Sequence, residues 1–140
     1  MQYFDPIRQK AIPATPEEAV RQRTILWLIG TIKVPKHLIE TEFPLSKIQV
    51  GNPNRVDIIV HNFREKKSAS EPWLLVECKR KGVNSPQALQ VQLGKYLHVL
   101  KPKYIMLPLG ETDIYLALAK DKKSYTKIEF LPEYPPISQP

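Results

Sequence analysis

Asp57, Glu77 and Lys79 are the residues of this chain whose types and spacing could do chemistry. Asp57 lies in the apolar run Val56-Asp57-Ile58-Ile59-Val60, and Glu77 and Lys79 close a second run, Trp73-Leu74-Leu75-Val76-Glu77-Cys78-Lys79. Both runs read as β-strands, rich in branched and aromatic residues and separated by a polar stretch. Side chains alternate along a strand, so Glu77 and Lys79 share a face while Cys78 points the other way. Any one of these charges is ordinary at an exposed strand end. Three together, each at the expense of desolvation in an otherwise apolar strand, call for a role. The carboxylates of Asp57 and Glu77, with the backbone carbonyl of Cys78, are hard oxygen ligands that suit Mg²⁺ or Mn²⁺, binding through one or two carboxylates and retained waters. Such an ion lowers the pKa of a bound water and offsets charge on a phosphate under attack. Lys79 would orient that water or stabilise the developing charge. The chemistry is metal-assisted phosphodiester hydrolysis.

These residues need a scaffold, and the sequence supplies the outline of one. Residues 1–14 read as an extended N-terminal arm. Thr15 caps a first helix, with Pro16 at its first position and Glu18 completing a Thr-x-x-Glu capping box. With Glu18 engaged in capping, Glu17 is the freer carboxylate, and Glu17, Val20 and Arg21 share a helical face. Pro35 to Ile39 reads as a short helical turn, and Glu42 to Val50 as a first strand ended by Gly51-Asn52-Pro53-Asn54. The Asp57 strand follows, then a polar connector from Arg64 to Pro72, then the Glu77 strand and the basic cluster Lys79-Arg80-Lys81. Ser85-Pro86 opens a second helix that runs to Pro102 and places Gln87, Gln92 and Tyr96 on one broad side. Lys103 to Leu107 reads as a strand parallel to the Glu77 strand, reached by helical crossover. Asp113 to Ala119 and Tyr125 to Phe130 form a last pair across the turn Lys120-Asp121-Lys122-Lys123. The proline-rich tail, residues 132–140, should run extended without a core. The fold class is α/β in the order α-β-β-β-α-β-β-β, with a mixed central sheet flanked by helices in one domain over residues 15–131.

The stretch Arg55-Val56-Asp57 … Leu75-Val76-Glu77-Cys78-Lys79 resembles the PD-(D/E)XK nuclease superfamily. More narrowly it resembles the N-terminal nuclease domain of type I restriction enzyme R subunits and short stand-alone proteins built from it. Thr15 to Gln22 and Gln92-Leu93-Gly94-Lys95-Tyr96 extend the resemblance over about residues 1–110. It implies a restriction-endonuclease-like fold, with the metal carboxylates on Asp57 and Glu77 and the catalytic lysine on Lys79. It also puts an assisting acid on Glu17 and the Q-x-x-x-Y helix motif on Gln92 and Tyr96. Nucleic-acid contacts would fall on Arg55, Arg80, Lys81, Lys95 and Tyr96. Val56 departs from the proline that names the superfamily, and Lys95 stands where arginine is frequent.

Composition agrees. The 140 residues suffice for one core, 42% are hydrophobic, and a formal net charge of +7 favours a polyanionic partner. A single cysteine excludes an internal disulfide and fits a reducing cytoplasm. His37, His61 and His98 are too scattered for a Cys/His zinc site. No signal-peptide core and no apolar run long enough to span a bilayer is present, so a cytoplasmic, membrane-free protein is expected. No Gly-x-x-x-x-Gly-Lys-Ser/Thr loop occurs, so any motor or specificity subunit would be a separate partner. The expected function is a Mg²⁺-dependent endodeoxyribonuclease, with a homodimer as one way to cut two strands. The alternative is a DNA-binding or assembly module that keeps the fold without cutting.

Overall fold

A six-stranded mixed sheet with a helix on each face forms the body of the computed structural model, which describes residues 1–62, 67–78, 86–108 and 112–136, with 86–90 as backbone alone. The described elements are β1 (Gln2–Asp5), β2 (Lys10–Pro13), α1 (Pro16–Gly30), β3 (Ile39–Pro44), β4 (Arg55–Val60), β5 (Leu74–Val76), α2 (Pro86–Leu97), β6 (Tyr104–Pro108), β7 (Asp113–Leu118) and β8 (Tyr125–Ile128). From α1 onward this is the expected order. The sheet order is β3-β4-β5-β6-β7-β8, and β5/β6 is its parallel pair, bridged by α2. A crossover helix is what a parallel pair requires.

Each face of the sheet has its own core. Val20, Ile25 and Leu28 of α1 pack with Ile58, Val60, Leu74, Val76 and Met106. On the other face Tyr96 and Leu100 pack with Val56, Ile59, Leu75, Ile105 and Leu107. Burial on both faces explains why β4 and β5 read as unbroken apolar runs rather than alternating ones.

The alternation slips at one place. Ile39 belongs to the α1 core but Phe43, of the same parity on β3, belongs to the α2 core, and Ile58 and Val56 on β4 differ in the same way. The β3/β4 register pairs Thr41 with Ile58 and Phe43 with Val56, skipping Glu42 and Asp57 between them. Glu42 there adopts φ 48°, a left-handed conformation that costs a non-glycine residue about 1–2 kcal/mol. The irregularity sits at the residue singled out for chemistry.

Three expectations are corrected. Residues 1–14 are not simply an arm: β1 and β2 pair as an antiparallel hairpin. The first strand of the sheet is Ile39–Pro44, and Leu45–Lys47 turn as a 3-10 helix instead of continuing to Val50. The beginning of the tail is not without a core. Leu131 and Tyr134 are buried, the Tyr134 N–H donates to Ile32 O at 2.7 Å, and its ring meets Trp73 edge-on with centroids 4.9 Å apart. Proline removes backbone donors but not apolar side chains, and two of these fill the α1 core.

Candidate active site

Asp57 and Glu77 meet at one end of the sheet. The β4/β5 register pairs Ile58 with Val76, and one more step along it sets Asp57 opposite Glu77. Both carboxylates act on the Tyr96 phenol, Glu77 by a hydrogen bond and Asp57 by its charge. The link is fixed by the backbone N–H of Cys78, which donates to Asp57 Oδ2 at 2.7 Å. Beyond β5, the Glu77 N–H donates to Met106 O at 3.2 Å, so β6 holds this end in place. Glu77 is buried, while the Asp57 side chain retains 23% exposure and is reachable from solvent.

Helix α1 contributes Glu18 and Arg21. Thr15 caps it, its hydroxyl accepting from the Glu18 N–H at 3.2 Å. The Glu18 carboxylate does not complete a capping box. It is buried, takes both of its oxygens to Arg8 Nη2 at 3.0 Å, and pairs with Arg21 Nη1 at 3.1 Å. Glu17 is exposed. Glu18 is thereby built into the network that reaches Asp57.

Arg21 is the hub. Its guanidinium lies 3.3 Å from Glu42 Oε1 and 3.5 Å from Asp57 Oδ1, and is itself buried. Arg8 continues the chain to Asp5, 2.6 Å from its Nε, and Gln22 Nε2 donates to Asp5 Oδ2 at 2.9 Å. One connected network thus runs from the β1/β2 hairpin through α1 to Asp57. Burial pushes the Asp5 carboxyl up, but hydrogen bonds from the Arg8 N–H, Gln22 and the Arg8 guanidinium hold it below the usual carboxylate range.

From the other face, α2 supplies Gln92 and Tyr96. Gln92 Nε2 donates to the Tyr96 hydroxyl at 2.6 Å, and that hydroxyl donates to Arg55 O at 2.9 Å. Burial, and then the neighbouring Glu77 carboxylate, push the Tyr96 phenol up, so it stays protonated. Tyr96 is 1% exposed and so does not offer the nucleic-acid contact expected of it. It anchors the start of β4 instead. Arg55 and Lys95 are exposed. Lys79, Arg80 and Lys81 lie outside the described residues.

Burial, and then the charge of Asp57, push the Cys78 thiol well up, so it is neither nucleophile nor thiolate ligand. Among the described residues no three acidic, His or Cys side chains converge as a ready-made metal cage. Glu18, Glu42 and Asp57 nevertheless place three carboxylates around one guanidinium, a donor set of hard oxygens with negative charge in excess. That suits an ion held by one or two carboxylates and waters, the mode Mg²⁺ favours, rather than a fully protein-made cage.

Residues 16–132 match the family model described as type I restriction enzyme R protein N terminus (HSDR_N). No curated protein and no solved structure matches. Among the described residues no helix is long and apolar enough to cross a membrane.

Proposed function

We propose that this chain, which belongs to the type I restriction enzyme R protein N-terminal family, is a metal-dependent nuclease that hydrolyses DNA phosphodiester bonds. The observation that carries the reading is the Cys78 N–H bond to Asp57 Oδ2, which ties the carboxylate of β4 to the end of β5 where Glu77 stands. Asp57, Glu77 and the Cys78 carbonyl would hold Mg²⁺ or Mn²⁺, which when bound supplies an acidified water and charge to offset the phosphate.

The chain's own residues do the rest. Asp57 Oδ2 accepts from the Cys78 N–H at 2.7 Å, while Oδ1 meets Arg21 only at 3.5 Å and is the oxygen that a ligand would draw away. Arg21 holds Glu18, Glu42 and Asp57 together while no other cation is bound. Tyr96 and Gln92 fix the backbone two residues before Asp57. Lys79 is assigned the water or the developing charge, and Arg55, Arg80, Lys81 and Lys95 the DNA backbone. Partners are DNA and a separate motor or specificity subunit, in the cytoplasm, with a second copy of the chain for double-strand cutting.

A second reading rests on one observation: both Asp57 oxygens already have protein partners, the Cys78 N–H and Arg21. That suits a module which binds DNA without cutting it. Incubating supercoiled plasmid and single-stranded DNA with Mg²⁺ or Mn²⁺, beside Asp57→Ala and Lys79→Ala, separates the two. Metal-dependent cutting lost in both variants supports the nuclease. Salt-sensitive binding with no cutting under either metal supports the module. Cutting that survives both substitutions overturns the site.

A further inference from the structure

A cavity of about 380 Å³ opens at the opposite end of the sheet from Asp57 and Glu77. The register shows why it is opposite. Val60, Leu74, Tyr104 and Ala117 line up across β4 to β7 at this end, and Ile58, Val76, Met106 and Tyr115 line up toward the other. Lys67, Lys101, Lys103, Lys120 and Lys122 border the cavity, with Glu71 the one carboxylate among the described lining residues. Pro72, Leu118 and Ala119 give it an apolar patch.

Five ammonium groups around one concavity repel one another, and a concave wall of low dielectric focuses their field. Lys67, Lys101, Lys120 and Lys122 form no ion pair with a described carboxylate. Asp121, inside the same basic turn, is not part of the lining and offsets their charge only in part. Its carboxylate accepts from the Lys123 and Ser124 N–H groups and the Ser124 hydroxyl, and is held below the usual range by those bonds. The wall is also stitched together. Lys101 N–H donates to Ser70 O at 2.7 Å, Lys103 N–H to Pro72 O at 3.0 Å, Leu118 N–H to Lys103 O at 3.0 Å and Lys122 N–H to Ala119 O at 2.9 Å. Three chain segments are thereby fixed with their lysines around one space before any ligand arrives.

We infer that this cavity binds an anion of nucleotide size carrying contiguous phosphates. Its volume lies within the roughly 300–1,000 Å³ of small-molecule sites, and ammonium groups serve phosphate as point charges. The concavity and its apolar patch favour a small phosphorylated ligand over a continuous nucleic-acid backbone. The site is independent of the nuclease reading, because none of its lining residues belongs to the Asp57 network.

Calorimetric titration of the full chain with inorganic tripolyphosphate and with ATP, in EDTA, tests it without any cleavage. The variants are Lys101→Gln/Lys120→Gln/Lys122→Gln in the cavity and Lys10→Gln/Lys36→Gln/Lys127→Gln elsewhere. All six lysines are exposed, so both triples keep the fold and lose the same charge. Saturable one-site binding that weakens roughly tenfold or more in the cavity triple, and far less in the control triple, is the expected result. Absent saturation, or equal weakening in both triples, overturns the site. Displacement of ATP by a short oligonucleotide lacking terminal phosphates overturns the small-ligand assignment. None of these outcomes bears on plasmid cleavage.

Discussion

Arg21 Nη2 stands 3.5 Å from Asp57 Oδ1, and the same guanidinium reaches Glu18 and Glu42. A buried arginine thus occupies the cationic position among the carboxylates proposed to bind metal or to flank it. Replacing it should be destabilising, because breaking a buried pair leaves uncompensated charge. For Arg21→Met we expect about 3 kcal/mol, the low end of the range for such pairs. Arg8 still holds Glu18, and half-exposed Glu42 rehydrates. Urea unfolding measures the loss. Added Mn²⁺ should recover part of it and stabilise the variant more than the wild type, since a ligand of the folded state shifts the equilibrium by mass action. Equal Mn²⁺ effects on both proteins would show that Arg21 and the metal do not share carboxylates.

Tyr96→Phe separates positioning from DNA contact. The substitution keeps the ring in its core and removes the hydroxyl that bridges Gln92 to Arg55 O. A buried carbonyl left unpaired costs about 1–3 kcal/mol, which thermal unfolding would show. Cleavage should fall with the displaced start of β4, while DNA retention and its salt dependence stay as in the wild type. A weaker salt-dependent affinity at unchanged stability would return Tyr96 to the nucleic-acid surface.

Tyr134 makes the tail part of the fold. It joins Trp73 ring-to-edge, donates to Ile32 O through its N–H and to His61 O, 3.2 Å away, through its hydroxyl. Tyr134→Ala should cost about 3–5 kcal/mol, as large-to-small changes of buried aromatics do. A chain ended after Glu133 should be destabilised at least as much. Thermal unfolding of both checks this; a midpoint near that of the wild type would mean the contact is not held in solution.

What the sequence disclosed follows from what patterns can carry. The strands around Asp57 and Glu77 were legible because burial on both faces makes them continuous apolar runs, and Ser85-Pro86 and Thr15-Pro16 mark their helices locally. The site's charged lining was not. The buried residues of α1 are Glu18, Val20, Arg21, Gln22, Thr24, Ile25 and Leu28, and four of these seven are polar. Counting apolar residues passes over those four, Glu18 and Arg21 among them. Glu42 was hidden for another reason: nothing local in Glu40-Thr41-Glu42 announces a left-handed residue at a skipped strand pair. Tyr134 was lost to its prolines.

Asp5 and Glu40 are the buried or partly buried described carboxyls held below their ordinary range, and they should weigh most in the acid limit of stability. In Asp5 burial acts to raise the pKa, and its four hydrogen bonds from Arg8, Gln22 and Ile7 outweigh it, leaving the group lowered. Glu40 is likewise lowered: burial raises it, and Lys47 at 2.6 Å and His61 at 3.1 Å more than offset that. A carboxyl with a folded pKa below its unfolded value, about 4 for these residues, takes up its proton first in the unfolded chain. Its stabilising share is therefore complete above the unfolded pKa and lost as pH falls through the folded one. Urea midpoints measured from neutrality down to about pH 3 should be level at first and then decline. Asp5→Asn should lower the neutral midpoint and flatten part of that decline. Salt should weaken the partly exposed Glu40 contribution and leave that of the fully buried Asp5. If Asp5→Asn keeps the full wild-type slope, the hairpin network is not what acid breaks.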